Sequence, residues 1–251
     1  MPRLVSIRLA LACALALLFT LSTAVATARG PAVSLRVVGA GVKVLAQRTV
    51  FTGDVTLKTS PKANCLGAGT GGSGKSVTVK GNTALGVLAK ASRSVQALRP
   101  LLTTDHFRAE FGLGLCGAGR SRSSAKRSWY LKVNHRDPQR GGEQVKVRPG
   151  DEVLWALEPY PYPEELALKA PATAKVGQPF AVTVTAYDDA GKREPAAGVT
   201  VTGASAPTGE DGKTTVTLSR PRVLQATGAG EIPSNRVSVC LGSLECPISH
   251  R

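Results

Sequence analysis

"SWYLKVNHRDPQRGGEQVKVRPGDEVLWAL", residues 128–157, decides how the first half of this chain is read. Trp129, Leu131 and Val133 alternate with Tyr130, Lys132 and Asn134, so the two sets take opposite faces of one strand. "DPQRGG" turns the chain. Val145 and Val147 predict the next inward pair, and "RPGD" predicts a tight Pro-Gly turn through Gly150 and Asp151. Val153, Trp155 and Leu157 predict a closing strand. Trp129, Val133, Val153 and Trp155 are therefore candidate core residues, because both tryptophans alternate with aliphatics on one face.

Upstream, "VSLRVVGAGVKVLAQRTVF" alternates and is rich in valine, which predicts one or two strands. "DVTL" and "KSVTVK" predict further strands. The period then changes. Ala84, Val87, Leu88, Ala91, Val95 and Leu98 fall on one helical face, started by Asn82 or Thr83 as N-cap and stopped before Pro100. "HFRAEFGLGLCGAG" predicts another strand. Strands, one helix and more strands imply a small α+β domain with the helix on a mixed sheet.

Four segments together, "TALGVLAKA", "AEFGLGLCGAG", "SWYLKVN" and "VRPGDEVLWAL", resemble the transcobalamin-like C-terminal domain family over roughly residues 50–158. Trp129, Val133 and Asn134 match its W-x-y-x-V-N strand. Gly150, Asp151, Val153 and Trp155 match its G-D-x-V-x-W strand. The resemblance implies a β-grasp, ubiquitin-like fold and a non-catalytic module. His135 stands where the family usually has glycine, and "CLGAGTGGSGKSVTVKGN" looks like an insertion. In cobalamin carriers this domain closes over a corrinoid held by a separate helical domain. No such domain is present here, so corrinoid or small-ligand carriage stays an alternative function and not the leading one.

After "PYPYPEE", residues 159–165, composition shifts to Thr, Val and Ala. The three prolines predict an extended linker. Short strands separated by "DDAGK", "TGEDGK" and "EIPSN" follow, with no helical period. They predict a β-sandwich, and "PAAGVTVTGAS" with "GEDGKTTVTLS" resembles the immunoglobulin-like modules of exported bacterial proteins. The expected organisation is a signal peptide over 1–28, a β-grasp domain over 32–158, the linker over 159–165, an immunoglobulin-like domain over 166–242 and a tail over 243–251.

The signal peptide is read from Arg3 and Arg8, the apolar run 9–26 and a small-residue cleavage site after Ala26 or Ala28. No later stretch is apolar enough to span a bilayer, so a secreted or extracytoplasmic protein, free or wall-associated, is expected. Beyond Cys13 in that run, Cys65, Cys116, Cys240 and Cys246 remain, an even number that suggests two disulfides among three pairings. Cys65–Cys116 and Cys240–Cys246, one in each half, is the favoured pairing. Without any C-x2-C pair, a four-thiolate metal site is not expected.

The net charge of +15 favours polyanionic partners. Two Trp, four Tyr and five Phe are too few for a large aromatic-lined cleft. The segment 119–148 carries nine Lys or Arg against Asp137 and Glu143. Arg120, Arg122, Lys126 and Arg127, with Asn134 and His135 after them, are the candidate ligand-binding residues; a solvated basic loop is the competing reading.

"GTGGSGKS", residues 69–76, fits the letters of a P-loop. Its flanks predict a strand after it and no strand before it, so nucleotide binding is not expected. Asp105–His106 lacks a nucleophile motif. Asp188, Asp189, Glu210 and Asp211 read as turn residues and not as an ordered calcium loop. No catalytic residue, metal or cofactor is expected. The partner is an anionic wall polymer or another exported protein, and the function is envelope binding, adhesion or structural docking.

Overall fold

A computed structural model describes residues 30–242 and Cys246. The expected signal peptide, and the tail apart from Cys246, lie outside the described residues. The fold is mostly β with few helices, arranged as several open antiparallel and mixed sheets.

In chain order the first part contains β1 (Ala32–Gly39), β2 (Lys43–Phe51), β3 (Val55–Lys58), β4 (Ser76–Val79), α1 (Ala84–Ser92), β5 (Leu101–Thr104), α2 (Arg108–Phe111), β6 (Gly114–Ala118), β7 (Ser121–Arg122), β8 (Ser128–Val133) and β9 (Glu152–Glu158). Its main sheet has the order β2-β1-β9-β8. β1 pairs parallel to β9, and the outer pairs are antiparallel. The valine-rich stretch is thus two strands folded back through Ala40–Val42, where Gly41 takes φ +70°.

One face of this sheet holds Val33, Leu35, Val37, Leu131, Val153 and Trp155 against Leu85, Val87, Leu88 and Ala91 of α1. Thr83 caps the helix by accepting from Gly86 N at 3.1 Å. Gly86 sits so close to the preceding loop that a Cβ there would lie 2.1 Å from the Lys80 carbonyl oxygen. The helix ends earlier than its apolar spacing suggests. Ser92 and Ser94 turn their hydroxyls back onto the carbonyls of Ala89 and Ala91, a bond that competes with helix continuation. Val95 is extended, and Gln96–Leu98 forms a 3₁₀ turn that still buries Leu98.

Two further expectations change. Val145 and Val147 are buried but join no strand. Their segment wraps the N-terminus of α1, so that Ala84 N donates to Val145 O and Leu85 N to Gly142 O. The free amides of the helix find their partners there. "HFRAEF" forms the short helix α2, stopped by Gly112 at φ +76°, before β6 begins.

The second part contains β10 (Glu165–Lys169), β11 (Thr173–Ala174), β12 (Pro179–Tyr187), β13 (Arg193–Pro195), β14 (Thr200–Val201), β15 (Lys213–Thr217), β16 (Arg222–Leu224), β17 (Ala226–Thr227) and β18 (Val237–Leu241). β10, β13 and β15 pair with β12; β11 and β16 flank β18; β14 pairs with β17. Alternate residues of these sheets converge on one core, including Leu166, Val184, Val201, Val216, Leu224 and Val239. Disulfides join Cys65 to Cys116 and Cys240 to Cys246, with Cα atoms 5.4 and 4.7 Å apart.

The second face of the main sheet is covered as well. Val38, Val44, Tyr130, Leu154 and Ala156 pack against Ile232 and Tyr162. Tyr162, in the proline-rich stretch, stacks on Tyr130 with centroids 4.0 Å apart. Glu165, the last residue of the expected linker, opens β10 and is buried. The stretch is therefore fixed by contacts on both sides of it.

Candidate functional site

Two concave regions hold most of the chemistry. The first lies at the seam between the two cores and has a volume of about 380 Å³. Arg36 on β1 and Glu165 on β10 face each other there, both buried and ion-paired. Arg36 also donates to Leu166 O at 3.1 Å and Pro233 O at 2.6 Å. Burial pushes the Arg36 guanidinium below its ordinary range, against the pull of Glu165. Burial also pushes the Glu165 carboxyl up, but His135 and Arg36 outweigh it and hold the group low. Its Oε2 has no partner among the described residues.

His135 enters the seam from a two-residue hairpin turn. Val133 and Arg136 exchange both backbone hydrogen bonds, at 2.8 and 3.1 Å. Asn134 and His135 between them both have positive φ, 50° and 67°. That is the turn favoured by strand twist, and glycine is its usual second residue. A histidine is uncommon at such an angle. Its ring stacks on Tyr187, centroids 3.9 Å apart, with Nδ1 3.1 Å from Glu165 Oε1 and Nε2 3.5 Å from Glu152. Despite that separation, Nδ1 has no hydrogen-bond partner among the described residues.

Lys132, fully buried, crosses the same seam to the carbonyls of Tyr187 and Asp188 at 2.9 and 2.8 Å, and burial lowers its pKa. The Tyr130 hydroxyl donates to Asp189, and its desolvation raises the phenol pKa. Asn134 serves the turn rather than the cavity. It donates to Asp151 Oδ1 and accepts from Glu152 N, both at 2.9 Å. Asp151 in turn accepts from Arg148 N, closing the turn in which Gly150 has φ +86°.

The second region is a trough beside β2. One groove, about 630 Å³, includes Lys43, Arg99 and Arg120; the next, about 570 Å³, includes Arg48, Lys90 and Arg93. No acidic residue lines either groove. Five of these cations are exposed, and Arg48 is half-buried. Arg48 donates to Ser94 and Arg93 to the Thr56 carbonyl. None of the six has an acidic partner among the described residues.

The structure thus separates the residues expected to form one site. Arg120 joins the trough. Arg122, Lys126 and Arg127 lie around the short turn from β7 to β8, where Ser124 and Arg127 bridge. Asn134 and His135 sit at the far end of β8, six strand residues away, or roughly 20 Å at about 3.3 Å per residue. Lys43, Arg48, Lys90, Arg93 and Arg99 were not singled out by motif or local charge density. The readable signal was an absence. Residues 55–104 contain seven Lys or Arg and no Asp or Glu. Residues 30–136 carry seventeen against Asp54, Asp105 and Glu110, whereas residues 137–242 carry eleven against thirteen.

The P-loop-like segment is organised differently from a phosphate cradle. Ser73 N donates to Asp105 at 2.7 Å, Gly74 N to Thr59 Oγ1 and Lys75 N to Ser73 Oγ. These three amides are engaged, with Asp105 in the position of an anion. Ser76 then starts a strand, whereas phosphate binding by this motif uses a helix N-terminus. Comparison with protein-family models, curated proteins and solved structures gives no match to the chain in any of the three.

Proposed function

We propose that this chain is an exported, non-catalytic binding protein that holds an anionic polymer of the cell envelope on the cationic side of its first part. The observation that carries the reading is the concentration of net positive charge in residues 30–136, against a near-balanced remainder. Such a field attracts polyanions and raises their association rate. The two disulfides suit an extracytoplasmic location. Among the described residues no helix is long and apolar enough to cross a membrane.

The module assignments belong to this proposal. A β-grasp first domain is supported by the β2-β1-β9-β8 order, its parallel central pair and the helix across one face. An immunoglobulin-like second domain is supported by short, mostly antiparallel strands around one core. Kinship with the transcobalamin-like C-terminal family rests on the Trp129–Asn134 and Gly150–Trp155 motifs. Isolated cell walls should retain the mature protein at low salt and release it as salt rises, because exposed charges more than about 10 Å apart are screened at 0.1 M. No retention, or retention indifferent to salt, contradicts the proposal.

A further inference from the structure

The two grooves run one after the other along the same edge strand. Lys43 begins β2 and Arg48 lies five residues further along it, past a β-bulge, opposite positions four residues apart on β1, which places their backbones about 13 Å apart at about 3.3 Å per residue. No small anion reaches both. A flexible chain with repeated negative charges reaches both and gains from each in turn. Four of the six cations are arginines, whose planar forks suit phosphate oxygens. Apart from Phe51 at one end, neither groove is lined by an aromatic residue, so the stacking platforms on which single-stranded nucleic acid relies are missing.

Resting on the anionic-polymer reading above, we infer that the trough beside β2 is the binding track, and that its ligand is a linear phosphodiester chain without bases, spanning Lys43, Arg99 and Arg120 at one end and Arg48, Lys90 and Arg93 at the other. The trough is assembled from three separate segments. β2 supplies Lys43 and Arg48, the end of α1 and its following turn supply Lys90, Arg93 and Arg99, and the β6–β7 turn supplies Arg120.

The test uses the mature protein and a fluorescent synthetic poly(glycerol phosphate) of about 20 units, a length whose extended reach exceeds the trough. Lys43→Glu/Arg99→Glu and Lys90→Glu/Arg93→Glu each change charge by the same amount as a control, Arg122→Glu/Lys126→Glu, on β7 and the turn after it, outside the grooves. Each groove pair should weaken binding tenfold or more beyond the control. The corresponding serine pairs, which insert no acid, should each lower the salt slope by about 1.4, as expected for two lost phosphate contacts on a flexible chain. Free glycerol phosphate should bind at least a hundredfold more weakly than the polymer. Poly-glutamate of equal charge should bind more weakly too.

If the control pair weakens binding as much as the groove pairs, the track is wrong and only diffuse charge remains. Equal binding of poly-glutamate overturns the phosphodiester ligand, and equal binding of glycerol phosphate overturns the chain-spanning site. Failure of the wild-type protein to bind any of these polymers at low salt overturns the functional reading itself. An unchanged unfolding midpoint of each variant separates loss of the site from loss of the fold.

Discussion

Replacing Glu165 by Leu should destabilise the protein by about 3–5 kcal/mol, because it leaves the buried Arg36 charge without its counter-ion. Arg36 is 8 % exposed and Glu165 2 %, so little water reaches the pair. Two of the guanidinium contacts survive, those to Leu166 O and Pro233 O, which places the cost toward the lower end of that range. Glu165→Gln keeps the volume and an acceptor and should cost less, about 1.5–3 kcal/mol, the usual worth of a hydrogen bond to a charged group. Arg36→Met should also be costly, since it strands Glu165 and frees both carbonyls. In the double variant Arg36→Met/Glu165→Leu neither member of the pair is left buried without the other. Its cost should fall below the sum of the single costs by 2 kcal/mol or more, since a buried pair is worth little against apolar replacements. Urea unfolding of the four proteins, followed by far-UV circular dichroism, measures the cycle. Additivity within about 0.5 kcal/mol would mean that the two residues do not act as a pair. A cost below about 1 kcal/mol for Glu165→Leu would mean that the seam is not held as described.

Serine replacement of both Cys65 and Cys116, 51 residues apart, should cost about 4 kcal/mol, and of Cys240 and Cys246, 6 apart, about 2, on the loop-closure model; equal losses in urea unfolding contradict the loop-length origin. Glu165 has a folded pKa held below its usual 4.5, so its contribution is complete above pH 4.5 and disappears as pH falls through the lower folded value. Glu165→Gln should flatten stability over that acid window, and an unchanged slope would refute this. Glu158 behaves in the opposite sense. Burial raises its pKa, partly offset by Arg127, and its Oε1 has no partner among the described residues, so its contribution fades as pH rises through the raised value. Glu158→Gln should therefore help more at pH 7 than at pH 4 in parallel thermal melts. Lys75→Ala should change stability by less than about 0.5 kcal/mol, since no side-chain bond holds that residue; a larger loss would give the P-loop-like segment a role that its geometry does not suggest.

Local rules of the chain explain what was legible. The helix start was readable as Asn82 or Thr83, Gly150–Asp151 as a turn and the paired halves of the cysteine set as bridges, because each depends on neighbours in sequence or on one loop. The strand alternation around Trp129 also held, with Leu131, Val153 and Trp155 in the core. Less legible was the opposite face. Tyr130 and Lys132 read as the alternate face of a strand, and nothing local shows that Tyr162, Tyr187 and Asp188 cover it. Val145 and Val147 carried a strand pattern but serve the helix N-terminus, whose unpaired amides compete for the same backbone. The trough was hidden for a related reason. Lys43, Lys90 and Arg99 are ordinary surface cations in sequence, and only the return of three segments to one sheet edge makes them neighbours of Arg120. The lack of acids across 55–104 is visible in the sequence, and that stretch holds Lys90, Arg93 and Arg99 of the trough.

The salt dependence of binding between the wild-type protein and poly(glycerol phosphate), measured by fluorescence anisotropy, tests the central claim most directly. Six cationic contacts to a flexible phosphate chain predict that log Kd rises with log salt with a slope of about 4. A slope near zero, or no binding at the lowest salt, would contradict the account.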